Sequence, residues 1–501
     1  MDTTTTSKAS RTNPDDQPGI AIIGCGFGGV AMGIALKRAG IHSFTIYERA
    51  SDVGGVWRDN TYPGAACDIP SLWYCYSFEQ DFAWSAHYAP QAEIHAYIKH
   101  CVDKYGLRPH VRLNTEIEAA EFDAATATWR LTTTDQETIE AKFLLTAVGQ
   151  FNRPALPKIP GLESFKGPQF HSSRWNHDFD FTGKNVAVIG VGASGLQIVP
   201  SIAPLVDKLY VFQRSPQFVF PRFKLGTLPK DRNWLSRRLG RFHAYYLFEW
   251  GTISRFMERR RRRREENYKQ FLKDVVADPP LLEKLTPDYP WTCKRSLFSD
   301  EWYGTLKRSN VELVVTPITH VQPTGIRTDD GREMDVDAII LATGFTVTDF
   351  LAPMRISGLD GRNLHQIWRG DAEAYLGTAI AGFPNLFMLY GPNAGIGGSI
   401  IYMLEGQAKY IVQCIKCLRR RKARYMTVRE DVQREFNELV QGRFNNTVLA
   451  GEDCRTYFKT ETGRITTQWP GFMAELRMRL LKLRPGDYEF ASRNGAAGSP
   501  H

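Results

Sequence analysis

No stretch of this sequence stays apolar long enough to cross a bilayer. The longest candidate, Tyr375 to Tyr390, is broken by Pro384 and Asn385, whereas a spanning helix needs about 20 consecutive apolar residues. No integral membrane segment is expected. Cysteine is sparse and scattered: eight positions form no disulfide framework, and the close pair Cys414 and Cys417 has no second pair to complete a zinc site. A reducing, cytoplasmic compartment fits, with no metal site, and those two thiols are expected in a helical core about one turn apart. Nor is there a basic stripe along the chain. Against 54 Asp and Glu, 63 Lys and Arg leave a formal charge of +9, much of it in the run Arg259 to Arg264, so nucleic acid is not an expected partner. That run, flanked by Glu258, Glu265 and Glu266, reads as a solvated helix with local ion pairs. Attraction to an anionic membrane surface or another polyanion is the alternative.

At 501 residues, with 43% apolar and 12% aromatic content, the chain exceeds one ordinary core and can fill two or three. Met1 to Pro18 is rich in Thr, Ser, Asp and Pro without an apolar run. It reads as an unstructured leader, neither signal peptide nor anchor. A short apolar strand, Gly19 to Ile23, then enters Gly24-Cys25-Gly26-Phe27-Gly28-Gly29. Helical periodicity over Val30 to Arg38 and a second strand, Phe44 to Tyr47, complete a βαβ unit. Its glycines allow a tight turn and a pyrophosphate on the helix N-terminus, and Glu48 stands where a carboxylate takes a ribose hydroxyl.

A second unit repeats the plan. Lys184 to Ile189 is a strand entering Gly190-Val191-Gly192-Ala193-Ser194-Gly195, a helix begins near Leu196, and Leu209 to Phe212 is the next strand. Where the first unit has Glu48, this one has Arg214. An acid favours a free ribose hydroxyl and an arginine accommodates a 2′-phosphate, so the first site reads as FAD and the second as NADPH. The fold class is α/β, with two Rossmann-like dinucleotide-binding domains.

Between the units lies Gly54-Gly55-Val56-Trp57-Arg58-Asp59-Asn60-Thr61-Tyr62-Pro63-Gly64-Ala65-Ala66-Cys67-Asp68. The glycines let backbone approach a flat ligand, Trp57, Tyr62 and Pro63 supply walls and a fixed turn, and Asp68 adds a lone carboxylate. The spacing Gly-x-Trp-x4-Tyr-Pro-Gly-x3-Asp resembles the fingerprint of flavin-dependent Baeyer–Villiger monooxygenases, which insert one atom of dioxygen next to a ketone carbonyl. Phe165-x-Gly167-x3-His171-x3-Trp175, in a Pro-rich connector, resembles a second motif of that family, except that Asn176 follows the tryptophan. That departure leaves open the related nitrogen- and sulfur-oxidising flavin monooxygenases. A disulfide-type reductase would share the double nucleotide plan, but Cys67 and Cys75 lack the close spacing it needs. A flavin reductase or oxidase without oxygen transfer, or a flavin-binding module without catalysis, remains the further alternative.

The resemblance implies the site. FAD is expected on Gly24, Gly26, Phe27, Gly29 and Glu48, on Gly55, Val56, Trp57 and Asp68, with Tyr74 near the flavin and Ile117 against the adenine. NADPH is expected on Gly190, Gly192, Ala193, Ser194, Gly195 and Gln197, then Arg214, Ser215, Lys294 and Arg295. Arg295, in a Lys-Arg pair that matches the family's, is the expected catalytic cation acting on a peroxyflavin, with Asp68 orienting it. His171 and Trp175 are expected to be structural or conformational. The partners implied are a small ketone and dioxygen, with no prediction of oligomeric state.

The remaining expectations concern organisation. A helix is predicted over Glu93 to Tyr105, antiparallel strands over Val111 to Glu116 and Trp129 to Thr133, and a hairpin across Asp330-Gly331. Phe223 to Pro290, with Trp234, Tyr245, Tyr246, Phe248, Trp250 and Phe256, reads as a helical inserted lid. Ala342-Thr343-Gly344-Phe345 resembles the family's return to the flavin domain, and Gly391 to Ser399 leads a helix through Tyr410. The boundaries expected are a leader 1–17, FAD domain 18–150 and 340–490, connector with NADP domain 151–222, helical insertion 223–291, NADP domain 292–339 and a flexible tail 491–501.

Overall fold

The computed structural model describes residues 19–223, 234–253 and 257–492. The leader and nearly all of the tail lie outside these, as do Phe256 and the side chains of Trp234 and Phe248. The first parallel sheet has the order Leu386–Met388, Phe143–Thr146, Ile20–Ile23, Phe44–Tyr47, Val111–Arg112. The second has the order Val311–Val314, Lys208–Phe212, Asn185–Ile189, Ala338–Leu341, Gln169–His171, again all parallel. Leu386–Met388 joins the first sheet only after the second is complete, so the first sheet is assembled from two stretches of chain with the whole second sheet between them.

Both faces of each sheet are covered, which is why the strands read as unbroken apolar runs. Ile20 and Ile22 face the core containing Val30 and Ile34 of the Phe27–Arg38 helix. Ala21 and Ile23, one residue out of phase, face a second core with Phe122 and Trp129. The second unit repeats this: Val186 and Val188 pack with Ile198 and Val199, while Ala187 and Ile189 pack with Val321, Ile326 and Met334. The outer layer of the first unit is Arg355–Ser357, Ile117–Asp123, Thr128–Thr133 and Thr138–Ala141, and that of the second is the meander Ile318–Gln322, Gly325–Thr328, Glu333–Asp335. The expected turn at Asp330-Gly331 lies in that meander, with Gly331 at φ +81°.

One of the two antiparallel strand expectations is met and the other is corrected. Trp129 to Thr133 pairs antiparallel with Ile117 to Asp123, whereas Val111–Arg112 extends the first parallel sheet beside Ile46 and Tyr47. Alternating hydrophobicity marks a strand without naming its neighbour. The Phe165 to Trp175 motif is also more than a connector, since Gln169–His171 forms the edge strand of the second sheet.

The insertion is helical at Trp234–Ile253, Glu258–Val276 and Pro279–Leu285. Asp278 caps the last of these, accepting from the Leu281 amide at 3.2 Å ahead of Pro279 and Pro280. The helix begun after Gly391 to Ser399 runs Ile400–Arg421, well past Tyr410, with Cys414 and Cys417 both buried on it. One cysteine expectation is overturned: Cys293 and Cys454 are joined in a disulfide across a sequence separation of 161. No local spacing encodes a pairing between segments so far apart. The other six cysteines are free and buried. No helix among the described residues is long and apolar enough to cross a membrane, and no cluster there could hold a metal ion.

Candidate active site

The two glycine loops share one geometry. Gly24 and Gly190 have φ of +98° and +110°, and a Cβ there would stand 2.8 and 2.4 Å from the carbonyls of Ala147 and Ala342 on the neighbouring strands. A Cβ at Gly29 or Gly195 would meet the Gly24 or Gly190 carbonyl at 2.0 or 2.1 Å. No other residue can lay the helix so close to the turn. The Phe27–Arg38 and Ala193–Ile202 helices that follow start at a glycine, without a capping side chain or an acid in the first turn. Their leading N–H groups are thus left for an anion. At Gly192 an added Cβ would meet nothing within 4 Å, and at Gly26 it would meet only the Gly54 and Gly55 backbone, at 3.6 Å and beyond. Such open cradles fit two pyrophosphates.

The first fingerprint closes over the first loop. Gly55, at φ +57°, crosses Gly26 with 3.2 Å between an added Cβ and the Gly26 Cα. Glu48 is buried at the end of its strand and accepts from the Cys25 amide at 2.9 Å, the Ala50 amide at 3.1 Å and the Arg58 guanidinium at 3.0 Å. Trp57 donates its indole N–H to the Tyr74 hydroxyl at 3.1 Å, and Tyr74 meets Phe27 edge to face at 5.3 Å. Val56 begins the short helix Val56–Asp59 that carries Trp57 and Arg58.

The middle of the fingerprint turns to the second unit. Tyr62 donates to Gln197 Oε1 at 3.0 Å, and Gln197 Nε2 donates to the Ala66 carbonyl at 2.9 Å. Gly64, at φ +80°, passes so near the second helix that a Cβ would lie 2.3 Å from Ser201 Oγ and 2.6 Å from the Gln197 carbonyl. Gln197, expected among the NADPH residues, is thereby engaged in holding the two units together. Ser194 and Ala193 begin the same helix.

At the end of the fingerprint, Asp68 is paired with Arg295, whose Nη2 donates to both carboxylate oxygens. The Asp68 charge holds the Arg295 guanidinium above its ordinary pKa. Its neighbour Lys294 faces the other unit, donating to Ser215 Oγ at 2.5 Å and lying 4.2 Å from the Tyr289 ring centroid. Burial, then the nearby Arg214 charge, pushes the Lys294 ammonium below its usual value. Arg214, Ser215 and Lys294 are thus brought together beside a groove of about 520 Å³ lined by Gln213, Arg214, Pro216 and Lys284. The disulfide to Cys454 anchors the residue just before Lys294. The nearby Tyr390 hydroxyl is held above its usual pKa, chiefly by burial and against the pull of Arg295, whose charge also reaches the exposed Tyr457.

His171 is buried in the crossing between the units. Its Nδ1 accepts from the Ser173 amide at 3.2 Å, and Nε2 donates to the Gly344 carbonyl at 3.0 Å. The same carbonyl accepts from the Ala155 amide at 2.9 Å, so the outgoing and returning chains are bonded to each other and to His171. Burial lowers the His171 pKa, in keeping with a neutral ring. Trp175 packs between Phe170 and Phe181, at 5.1 and 5.5 Å between ring centroids. Ile117 is buried in the core between the first sheet and its antiparallel layer.

Several participants escaped the sequence reading. Arg58, inside the fingerprint, donates to Glu48 Oε1, and the ten-residue spacing between them is the only signal of that pairing in the sequence. Tyr390, Tyr457 and Cys454 come from segments without a chemical motif, so nothing local marked them. Cys67 and Cys75 are free and buried, and burial pushes the Cys75 thiol up to about 11.

Two dinucleotide cradles joined by a hydrogen-bonded double crossing define the class, a two-domain oxidoreductase of the flavin and nicotinamide type. The chain matches the family model described as flavin-binding monooxygenase-like over residues 17–449, and it belongs to that family. It is 38% identical over 483 residues to a Baeyer-Villiger monooxygenase of Streptomyces coelicolor, covering 94% of this chain and 92% of the relative. A protein of the same name from Pseudomonas aeruginosa is 39% identical over 466 residues, covering 91% and 88%. A solved OTEMO complex with FAD and NADP shares the fold at a TM-score of 0.85 and 28% identity, covering 95% of this chain and 99% of that one.

Proposed function

We propose that this protein is an NADPH- and dioxygen-dependent flavoprotein monooxygenase of the Baeyer–Villiger type, converting a small ketone to an ester or lactone. The observation that carries the reading is the Asp68–Arg295 pair next to Lys294. It sets one fixed cation toward the flavin unit and the adjacent one toward the nicotinamide unit. The full-length similarity to two proteins named for this reaction favours it over nitrogen or sulfur oxidation.

In this reading residues 18–150 and 340–490 hold FAD, 151–222 and 292–339 hold NADPH, and 223–291 is the insertion. FAD would rest on the Gly24 to Gly29 loop, with Glu48 at the ribose, Gly55 to Trp57 and Tyr74 along the ring system, and Ile117 as an apolar wall for the adenine. NADPH would rest on Gly190 to Gly195, with Arg214, Ser215 and Lys294 around the 2′-phosphate. Bound FAD, once reduced by NADPH, supplies the chemistry with dioxygen. Arg295 then offers a preorganised positive charge to oxygen anions that develop beside the ketone, and Asp68 fixes its orientation. Tyr62, Gly64 and Gln197 keep the two units in register, and His171 with Trp175 maintains the crossing.

The test is product analysis under labelled dioxygen with NADPH, offering a ketone, a thioether and an amine side by side. One labelled oxygen in an ester or lactone is the expected result. Labelled sulfoxide or N-oxide with no ester from any ketone would overturn the assignment.

A further inference from the structure

The Trp234–Ile253 helix is attached to the body by its polar face. Arg241 is 7% exposed and donates to the Cys75 carbonyl at 2.9 Å, the Tyr245 ring lies 4.4 Å from that of Tyr402, and Glu249 accepts from the Met473 and Ala474 amides at 3.1 and 2.6 Å. These three residues recur every fourth position, on one side of the helix. The far side carries Leu239, Tyr246, Leu247 and Trp250, exposed by 60, 56, 50 and 47%, with Phe242, 73% exposed, at its edge beside Glu249. Met257 follows, 45% exposed, at the start of the next helix. A surface helix ordinarily turns its apolar stripe inward; this one presents it to solvent.

The arginine run begins where that stripe ends. Arg260 lies 4.7 Å over the Trp250 ring, which joins the charged helix to the apolar one. Within the run, Arg261 pairs with Glu265 and Arg262 with Glu258, at 2.8 and 2.7 Å. Arg259 and Arg263 are exposed and have no ion pair among the described residues. An apolar stripe with Trp and Tyr beside unneutralised arginines is the composition that lies in the headgroup layer of an anionic bilayer. A second copy is a poorer occupant, because a two-fold contact through this face would bring two arginine runs together.

We propose that the Trp234–Ile253 helix and the adjoining arginine run form a docking face for anionic phospholipid bilayers. The apolar side chains enter the acyl boundary and the guanidiniums bind headgroup phosphates. The face holds none of the residues assigned to FAD, NADPH or Arg295, so docking is independent of the oxygenation chemistry.

The experiment is flotation of the FAD-loaded full chain with vesicles of phosphatidylcholine alone or mixed with phosphatidylglycerol, at low and high salt. The protein should float with the mixed vesicles and not with the neutral ones, and high salt should release it. Phe242→Ser with Trp250→Ser, and separately Arg259→Gln with Arg263→Gln, should each weaken binding by roughly tenfold or more, while NADPH oxidation stays at the parental rate. If the serine pair fails to retain FAD, the glutamine pair decides alone. Absence of flotation, equal flotation with neutral vesicles, or undiminished binding by a folded variant overturns the proposal. So does a dimer in solution that the serine substitutions dissociate, which would make this face a contact between copies.

Discussion

Lys294 and Arg295 are consecutive in the chain and belong to different halves of the site. Lys294 donates to Ser215 of the second unit at 2.5 Å, while Arg295 is paired with Asp68 at the end of the first unit's fingerprint. Two adjacent cations on an irregular segment ahead of the Leu297–Phe298 strand thus serve two domains. The disulfide at Cys293 fixes the start of this dipeptide.

If Arg295 serves oxygen transfer alone, Arg295→Ala should retain FAD and still oxidise NADPH, yet form little ester. Loss of one preorganised charge at a transition state typically costs about 3–4 kcal/mol, or roughly two to three decades in product formation. Hydrogen peroxide should replace the ester. Ester formation at the parental rate by this variant would remove Arg295 from the chemistry.

Arg214 and Lys294 together should set the preference for NADPH over NADH. Arg214→Ala should narrow it by about one to two decades, the worth of a charge-assisted contact of roughly 1.5–3 kcal/mol. Stopped-flow reduction of the flavin with each nicotinamide measures this directly. An unchanged ratio would mean that the 2′-phosphate is held elsewhere.

Gln197 should matter as a link between domains. Gln197→Leu leaves the Tyr62 hydroxyl and the Ala66 carbonyl without their partner, which should cost about 1–3 kcal/mol of stability. FAD should be retained, because no part of the first cradle is touched. Thermal unfolding and flavin content of the purified variant check both halves of this expectation.

Cys293→Ser should free the segment carrying Lys294 and Arg295. Loss of a disulfide that closes so long a loop is expected to cost on the order of 2–5 kcal/mol. Ester formed per NADPH consumed should fall as well, since Arg295 would lose part of its anchorage. Mild dithiol reduction of the parent should reproduce both effects; if neither treatment changes the yield, the disulfide does not position Arg295.

His171 should make stability depend on pH in one direction. Burial holds its native pKa below the ordinary 6.5, so below that value the unfolded chain binds the extra proton. The contribution of neutral His171 is therefore complete above 6.5 and is lost as the pH falls through it toward the native value. Unfolding midpoints of the parent should decline across this window, and those of His171→Gln should decline less. A parallel decline in both would assign the acid sensitivity to other groups.

Much of this protein was legible from spacing within short segments. The two glycine loops can be read because positive φ at Gly24 and Gly190 and close backbone packing at Gly29 and Gly195 exclude every residue but glycine at those positions. Strand partners were less legible: Val111 carries the same alternation as a hairpin strand, yet joins a parallel sheet beside Ile46. Arg58 was hidden because its partner, Glu48, already had an expected task. For Cys454 and Tyr457 no periodicity or motif was available to mark them.

The amino-acid sequence alone determined what depends on neighbours in the chain. The two cradles, the contrast of Glu48 with Arg214, and the family fingerprint are constraints of backbone geometry and chemistry within a few turns. Tertiary structure decided what depends on meetings between distant segments. Lys294 and Arg295 diverge to different domains, Tyr62 and Gly64 dock on the helix bearing Gln197, and Cys293 reaches Cys454. The exposed stripe from Leu239 to Trp250 belongs with these, because its sequence is that of an amphipathic helix whichever side faces inward. Contacts with Cys75, Tyr402 and Met473 turned its polar side to the body.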